Sequence, residues 1–562
     1  MNDAAQLTAA ARAAFERGEL AIAEAHYREA IARFGAHSDW LANLGMVQLR
    51  LGRAEDAAQT LTQASTALPE HPAVVLALGI AQLHAGQASA ATETLDRAVT
   101  LGRDNPEAHN ALGLARAALG DIDRAGEAFA SALALAPRLT AALNNWCEAL
   151  SNAGNLPEAV AVASRAAREQ PDDASAWFKL GELRMRAGEL LAAREALARS
   201  ATLHPGYSPT HQNLGLIEQW SGRLQDAQAQ FRAALSCDPT NADARFGLAT
   251  TLLKLRQSEE GWALYAVGRA GASDVRSRSP RVPAWDGGVL PRGALLVNAD
   301  QGLGDVMQFA RFLSATRVRV PRLLVYTDAY RATLRPLLES LAAVDAVVDR
   351  ASGAQELAAR CKMSALPHLL RLGSAAFDPT APYLAPPTAA ARRWGERLAR
   401  LPAPKVGLCW GGNPRPDFVD ANRIDARRSM TLERLAGLGR IPGITFVSLQ
   451  KGAAAATRSR DMPLIDWTDD LYDYGETAGL IAQLDLVVSV DTSIVHCAGA
   501  IGTPVWMLDR FDNCWRWGTD PANPGWYRAL RVLRQRSFGD WASVIEELRA
   551  SLSAWRRDYR RA

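Results

Sequence analysis

A chain of 562 residues, 48% hydrophobic and 22% charged, is too long for one core and too ordinary in composition for a disordered or fibrous protein. Its 63 basic and 60 acidic residues leave a net charge of +3, which gives no electrostatic case for nucleic acid. Six scattered cysteines without a C-x-x-C pair, no 18-residue apolar run and no basic-then-apolar leader predict a cytoplasmic chain with neither disulfides nor a transmembrane segment.

The first half keeps a strict period. Gly18, Gly52, Gly86, Gly120, Gly154, Gly188 and Gly222 stand 34 residues apart, and each is followed five residues later by alanine, from Ala23 to Ala227. Leu-Gly pairs recur at Leu44-Gly45, Leu78-Gly79, Leu112-Gly113, Leu180-Gly181 and Leu214-Gly215, with Trp146-Cys147 in the fifth unit. Tyr27, Leu61, Leu95, Phe129, Leu197 and Phe231 follow nine residues after most of the periodic glycines, and Pro69, Pro137, Pro171, Pro205 and Pro239 close several units. The period fits a helix–turn–helix unit that cannot bury its apolar face alone and must stack on its neighbours. In such a unit the small residue lets two helices approach, the periodic glycine caps the first helix in the left-handed region, and the proline stops the second.

These positions closely resemble the tetratricopeptide repeat, over seven units and a degraded eighth that has Arg256 where glycine is expected. The resemblance implies an α solenoid over residues 4–275 that binds a protein or peptide. Asn110, Asn144, Asn145, Lys179 and Asn213 fall on first helices, where groove residues lie in such solenoids; they also fit plain solvated helix positions.

Beyond Pro280 short aliphatic runs alternate with amphipathic stretches. Strands are predicted at Ala294–Asn298, Arg322–Tyr326, Ala343–Val348, Lys405–Trp410, Thr445–Leu449, Leu486–Val490 and Pro504–Leu508. Continuous apolar strands separated by helices predict parallel sheets covered on both faces. A proline-rich break at 385–404 divides them into two Rossmann-like lobes, 285–388 and 403–555, facing a cleft. Ligands of such sheets bind beyond the carboxyl ends of the strands.

Four strand ends carry candidate chemistry. The first is Gln301-Gly302-Leu303-Gly304-Asp305, where glycines leave room at a helix N-terminus that favours anions, or where Asp305 is an ordinary N-terminal charge. The second is Trp410-Gly411-Gly412-Asn413 with a polar loop from Asp417 to Arg428, whose arginines suit a diphosphate or belong to a solvated loop. The third is Gln450-Lys451. The fourth is Asp491-Thr492-Ser493, opening a helix with His496 one turn on, a position that fits a satisfied buried histidine as well as a ligand. The later Cys514-Trp515-Arg516-Trp517 run suits a base or an acceptor, or a packing cluster. The arginine-rich end, Trp555 to Arg561, reads as a solvated terminus or a contact with anionic lipid.

Together the Gly302–Asp305 turn, the Trp410–Asn413 strand end, Arg428-Ser429, Gln450-Lys451 and Asp491-Thr492-x3-His496 before Gly502-Thr503-Pro504 resemble the heptosyltransferase-like glycosyltransferases of GT-B fold. More closely, the chain resembles bacterial proteins that join tetratricopeptide repeats to such a domain. The resemblance implies Asp305 as the acceptor-activating base. It implies Gly302, Gly304, Asn413, Arg428, Gln450, Lys451, Asp491, Thr492, Ser493 and His496 around a nucleotide-sugar donor. It also implies inverting, metal-independent transfer without a cofactor. The chain departs from the pattern where arginines replace a lysine after the Trp410 strand end, and where Ala359-Arg360-Cys361-Lys362 precedes Leu366-Pro367 without an Asp-x-His. The expected activity is sugar transfer to a protein acceptor, flagellin or another surface protein, held by the repeats. The alternatives are transfer to lipopolysaccharide or another envelope glycan, and a non-catalytic scaffold.

Overall fold

The computed structural model describes residues 2–268, 282–349, 357–414, 419–456 and 461–559. Its contacts divide the chain into Met1–Leu214 and Gly215–Ala562.

The first unit is helical: α1 (Asn2–Glu16), α2 (Leu20–Phe34), α3 (Ser38–Arg50), α4 (Ala54–Ala67), α5 (Pro72–His84), α6 (Ala88–Leu101), α7 (Pro106–Ala118), α8 (Ile122–Leu135), α9 (Thr140–Asn152), α10 (Leu156–Glu169), α11 (Ala174–Ala187) and α12 (Leu190–Leu203), with α13 (Ser208–Trp220) crossing its end. Two of the sequence regularities prove to be one contact. A Cβ at Gly45, Gly79, Gly113 or Gly181 would stand 2.4–2.6 Å from Leu61, Leu95, Phe129 or Leu197. The glycine of each first helix is therefore the socket for the large residue of the second. The fifth repeat keeps the fit with the sizes exchanged. Cys147 takes the glycine position and Ala163 the large one, both buried in one cluster. The seven periodic glycines turn the chain with φ between +76° and +80°, as their spacing required.

The second unit continues with α14 (Leu224–Cys237), α15 (Ala242–Lys254) and α16 (Ser258–Val267). Between the last two, Arg256 holds the left-handed turn with φ +60°, an uncommon conformation for a side chain branching from Cβ-bearing backbone. The predicted solenoid extended to residue 275; residues 269–275 lie outside the described ones. Strands β1 (Ala294–Asn298), β2 (Arg322–Tyr326), β3 (Ala346–Val348) and β4 (Leu357–Lys362) form a parallel sheet ordered β3-β2-β1-β4. Strands β5 (Lys405–Cys409), β6 (Thr445–Ser448), β7 (Leu486–Val490), β8 (Val505–Asp509) and β9 (Leu530–Arg534) form a second, ordered β6-β5-β7-β8-β9. β1 and β7 are buried along their whole length, as central strands of a covered sheet must be.

Sequence reading placed seven of these strands and missed β4 and β9. It also began the third at Ala343, whereas pairing starts at Ala346 because Asp345 turns to cap the Leu323 N–H at 2.6 Å. The proline-rich stretch between the sheets is more than a break. It folds into the helix Thr388–Leu398, whose Trp394 Nε1 donates to Glu476 Oε2 at 2.9 Å. One apolar cluster runs from Leu253, Trp262 and Tyr265 of the last repeat through Phe309 and Phe377 to Trp515 and Trp526. No described helix is long and apolar enough to cross a membrane.

Candidate functional site

The order of each parallel sheet reverses beside a central strand, at β1/β4 and at β5/β7. At such switch points the loops leave in opposite directions and open a crevice. A cavity of about 800 Å³ lies there, lined from the carboxyl ends of β1, β5, β6, β7 and β8. Its wall includes Asp305 and every residue the sequence assigned to the donor: Gly302, Gly304, Asn413, Arg428, Gln450, Lys451, Asp491, Thr492, Ser493 and His496.

Asp305 opens the short helix Leu303–Phe309, and its Oδ2 accepts from the Gly302 N–H at 3.0 Å. Its Oδ1 is paired with the Arg516 guanidinium. Arg516 also donates from Nε to Gln308 Oε1 at 2.8 Å, and Nη2 lies 3.4 Å from the Tyr265 hydroxyl. Both carboxylate oxygens are thus engaged. The glycines serve packing more than ligand approach. The Gly302 N–H is spent on Asp305, and a Cβ at Gly304 would stand 2.6 Å from His496 Cδ2.

His496 is buried. Its Nδ1 shares a hydrogen bond with the Tyr527 hydroxyl at 2.9 Å, and its ring stacks on Trp517 at 5.3 Å. Burial, with Arg516 nearby, lowers its pKa to about 3, so the ring is neutral at physiological pH. It shapes the wall and supplies no positive charge.

The basic side is built on the second sheet. The polar loop expected from Asp417 to Arg428 is largely the helix Val419–Arg428, while Asp417 itself lies outside the described residues. From its last turn Arg428 donates to Asp425 Oδ1 at 2.9 Å and to the Asp491 carbonyl at 3.2 Å. Asp425 also accepts from the Ser429 hydroxyl at 3.2 Å, and that hydroxyl accepts from the Gly412 N–H at 2.9 Å. Gln450 is spent on the backbone. Its Oε1 accepts from Trp410 N at 2.9 Å and Gly411 N at 2.7 Å, and its Nε2 donates to the Gly411 and Lys451 carbonyls. It fixes the loop and leaves nothing for a ligand. The Lys451 ammonium donates to the Leu471 carbonyl, and Lys451 and Asn413, both exposed, line the cavity.

Thr492 caps the helix Ser493–Ile501, accepting from Ile494 N at 3.3 Å, and the Ser493 hydroxyl accepts from Tyr474. An accepting hydroxyl keeps its own proton to donate, so this end offers an anion the Ser493 O–H beside backbone N–H groups and the helix dipole.

Sequence reading missed Arg510, which follows β8 directly. It is 9% exposed, lines the cavity, and its Nε and Nη1 make no hydrogen bond among the described residues. Asp512 stands 3.6 Å from Nη1, an ion pair too long for a hydrogen bond, and is shared with Arg427 at 2.8 Å. An arginine straight after a buried strand at a carboxyl edge was the available signal. Tyr330 and Tyr472, 56% and 72% exposed, also line the cavity; the Arg331 guanidinium lies over the Tyr330 ring at 5.7 Å, and the Tyr472 hydroxyl donates to Glu476 Oε1 at 3.1 Å.

Away from the cavity, Asn110, Asn144, Lys179 and Asn213 sit on α7, α9, α11 and α13, the first helices of their repeats, as does Asn145 on α9. All five are partly exposed. Asn145 donates to Asn110 Oδ1 at 2.9 Å across neighbouring repeats, and Lys179 pairs with Glu182 at 2.7 Å. The arginine-rich end is the last turn of the helix Trp541–Asp558, where Arg556 donates to the Gly443 carbonyl at 2.8 Å; Arg560 and Arg561 lie outside the described residues.

Family models described as tetratricopeptide repeat match residues 8–72, 49–115, 106–139, 147–208 and 231–263. The chain carries these repeats. Protein FlbA of Caulobacter vibrioides is 26% identical over 380 residues, which cover 62% of this chain and 61% of FlbA. A tetratricopeptide repeat protein of Parabacteroides merdae is similar over 45% of this chain and 100% of its own, with 18% identity and a TM-score of 0.35. MamA of Desulfovibrio magneticus is similar over 30% of this chain and 96% of its own, with 23% identity and a TM-score of 0.25.

Proposed function

We propose that this repeat-bearing protein is a glycosyltransferase of GT-B type, moving a sugar from a nucleotide-sugar donor to a protein acceptor that the repeats hold. One observation carries the proposal. A single cavity at the carboxyl ends of two parallel sheets gathers the Asp305 carboxylate from the first sheet and Arg428, Lys451, Arg510 and a helix N-terminus from the second. That asymmetry suits a reaction in which a proton leaves an acceptor while negative charge develops on a diphosphate.

In the proposed step the acceptor oxygen attacks the anomeric carbon from the face opposite the leaving phosphate. The new C–O bond forms as the old one breaks, and the bonding pair leaves with the nucleoside diphosphate. Asp305 takes the acceptor proton. With Oδ2 on the Gly302 N–H and Oδ1 on Arg516, neither oxygen is open to the acceptor hydroxyl, so Arg516 must first turn from Asp305, and an incoming anion gives it a second partner. Arg428, Lys451 and the amides at Ser493 offset the charge on the leaving group. GT-B enzymes of this kind need no metal, and the proposal assigns none.

The test is release of free nucleoside diphosphate and a mass increase on a captured acceptor, with the full chain and a panel of nucleotide sugars. Asp305→Ala should end transfer while donor affinity stays within about threefold. Undiminished transfer in that variant removes Asp305 from the role. The Asp305–Arg516 pair also favours one rival, a nucleotide-binding scaffold that performs no transfer. Donor binding without turnover on any acceptor would select it.

A further inference from the structure

We propose that the eighth repeat is a working part of the cavity: α15 and α16 position Arg516 against Asp305.

Four polar contacts from three side chains converge on the loop after β8. Lys254 Nζ donates to the Asn513 carbonyl at 3.0 Å. Arg256 Nη2 lies 3.4 Å from the Arg516 carbonyl and 3.0 Å from that of Pro524. The Tyr265 hydroxyl lies 3.4 Å from Arg516 Nη2 itself. The apolar packing repeats the pattern. Tyr265 stacks on Phe309, in the helix that carries Asp305, at 6.2 Å, and meets Trp515, the neighbour of Arg516, at 5.1 Å. Trp262 touches the same two rings at 6.1 and 5.6 Å. One helix of the repeat array thus braces both halves of the ion pair.

Arg256 marks this as more than a cap. Seven repeats turn on glycine, and the eighth turns on an arginine at φ +60°. The left-handed region is costly for a residue with a Cβ. Here the side chain returns contacts that glycine lacks, with its guanidinium over the Phe377 ring at 4.0 Å and two carbonyls in reach. Backbone ease has been exchanged for a hold on the Arg516 loop.

The geometry stands apart from the transferase proposal; only the use made of the pair rests on it. The test takes the full chain as wild type, Arg256→Gly, Arg256→Lys and Tyr265→Phe, with Leu548→Ala, buried in the helix Trp541–Asp558 in a separate apolar cluster, as a destabilised control. Amide exchange is followed at 302–309 and 512–518, with titration of inorganic pyrophosphate and of a nucleoside diphosphate. Arg256→Gly restores the repeat's own turn residue, so a mere cap predicts unchanged or higher stability and no change at the cavity. Positioning predicts exchange about tenfold faster in both segments, α1–α12 unaltered. It also predicts ligand affinity about fivefold or more weaker, partial recovery in Arg256→Lys, and an affinity loss in Tyr265→Phe. Unchanged exchange at both segments overturns the proposal. So does an affinity loss that Leu548→Ala reproduces at the same loss of stability. If the wild type binds neither probe, the donor proposal falls and the exchange data alone decide this one.

Discussion

Arg516 closes an ion pair with Asp305, 211 residues earlier in the chain, and the pair spans the cavity between the loop after β8 and the helix after β1. The two side chains are 11% and 23% exposed, so each is the other's main compensation for lost water. Asp305→Asn is expected to lower stability by about 2–3 kcal/mol, below the cost of breaking a fully buried pair. Arg516→Met in the same background should recover part of that loss, because the unpaired charge goes with it. Urea unfolding of the two single variants and the double measures the coupling directly.

His496 predicts a pH signature of stability. Its folded pKa of about 3 lies below the ordinary 6.5, so the fold prefers the neutral ring. That contribution is complete above pH 6.5 and is lost as pH falls from there toward 3. Asp509 acts in the opposite sense. Burial raises its pKa to about 6, so its stabilising protonated form is lost as pH rises from about 4 through 6. Between pH 4 and 6 the two trends oppose each other. His496→Gln should flatten the acid limb of the melting temperature against pH, whereas Asp509→Asn should steepen it.

Arg510 should give opposite signs in two measurements. A buried guanidinium whose Nε and Nη1 make no hydrogen bond among the described residues costs the free chain stability. Arg510→Gln is therefore expected to raise the melting temperature slightly. If an anion completes the site, the same change weakens pyrophosphate binding about tenfold, as one charge-assisted contact warrants. Calorimetric titration beside a thermal melt reads both.

In the repeats, Cys147 and Ala163 predict a compensated exchange. Ala163→Leu alone overpacks the site at a cost of about 1–3 kcal/mol. Cys147→Gly alone opens space and adds about 1 kcal/mol for glycine within a helix. Together they rebuild the arrangement of the other repeats, and the double variant should be at least about 1 kcal/mol more stable than the two effects summed. Denaturant unfolding of the four chains checks this.

What was legible in the sequence was whatever repeats or runs locally. The 34-residue period exposed the turns and both partners of each helix contact, and continuous apolar runs exposed β1, β2 and β7. Strands β4 and β9 escaped because they sit at sheet edges and carry arginines. Arg360 on β4 is drawn to the Val282 carbonyl at 2.8 Å, and Arg534 on β9 to Asp509 at 2.8 Å. Those charges read as loop until the partners are in place. The residues around the cavity were legible as a set because most lie at a strand end or in the first turn of the helix that follows it. Their division of labour was not, since Gln450 is tied to backbone and Asp305 to a residue two hundred positions away. Contacts of that separation leave no trace in local pattern.

The turn at Arg256 also sets where the array is free to change in length. Each of the seven earlier units turns between its two helices on the same glycine and offers its successor the same kind of face, so whole 34-residue modules can be gained or lost among them like links in a chain. The eighth cannot be traded in this way. Its arginine is fitted to Phe377 and to the carbonyls of Arg516 and Pro524, and no other repeat carries that fitting. Length variation among related chains should therefore come in steps of 34 residues upstream of that turn, with the interval from Arg256 to Arg516 held fixed.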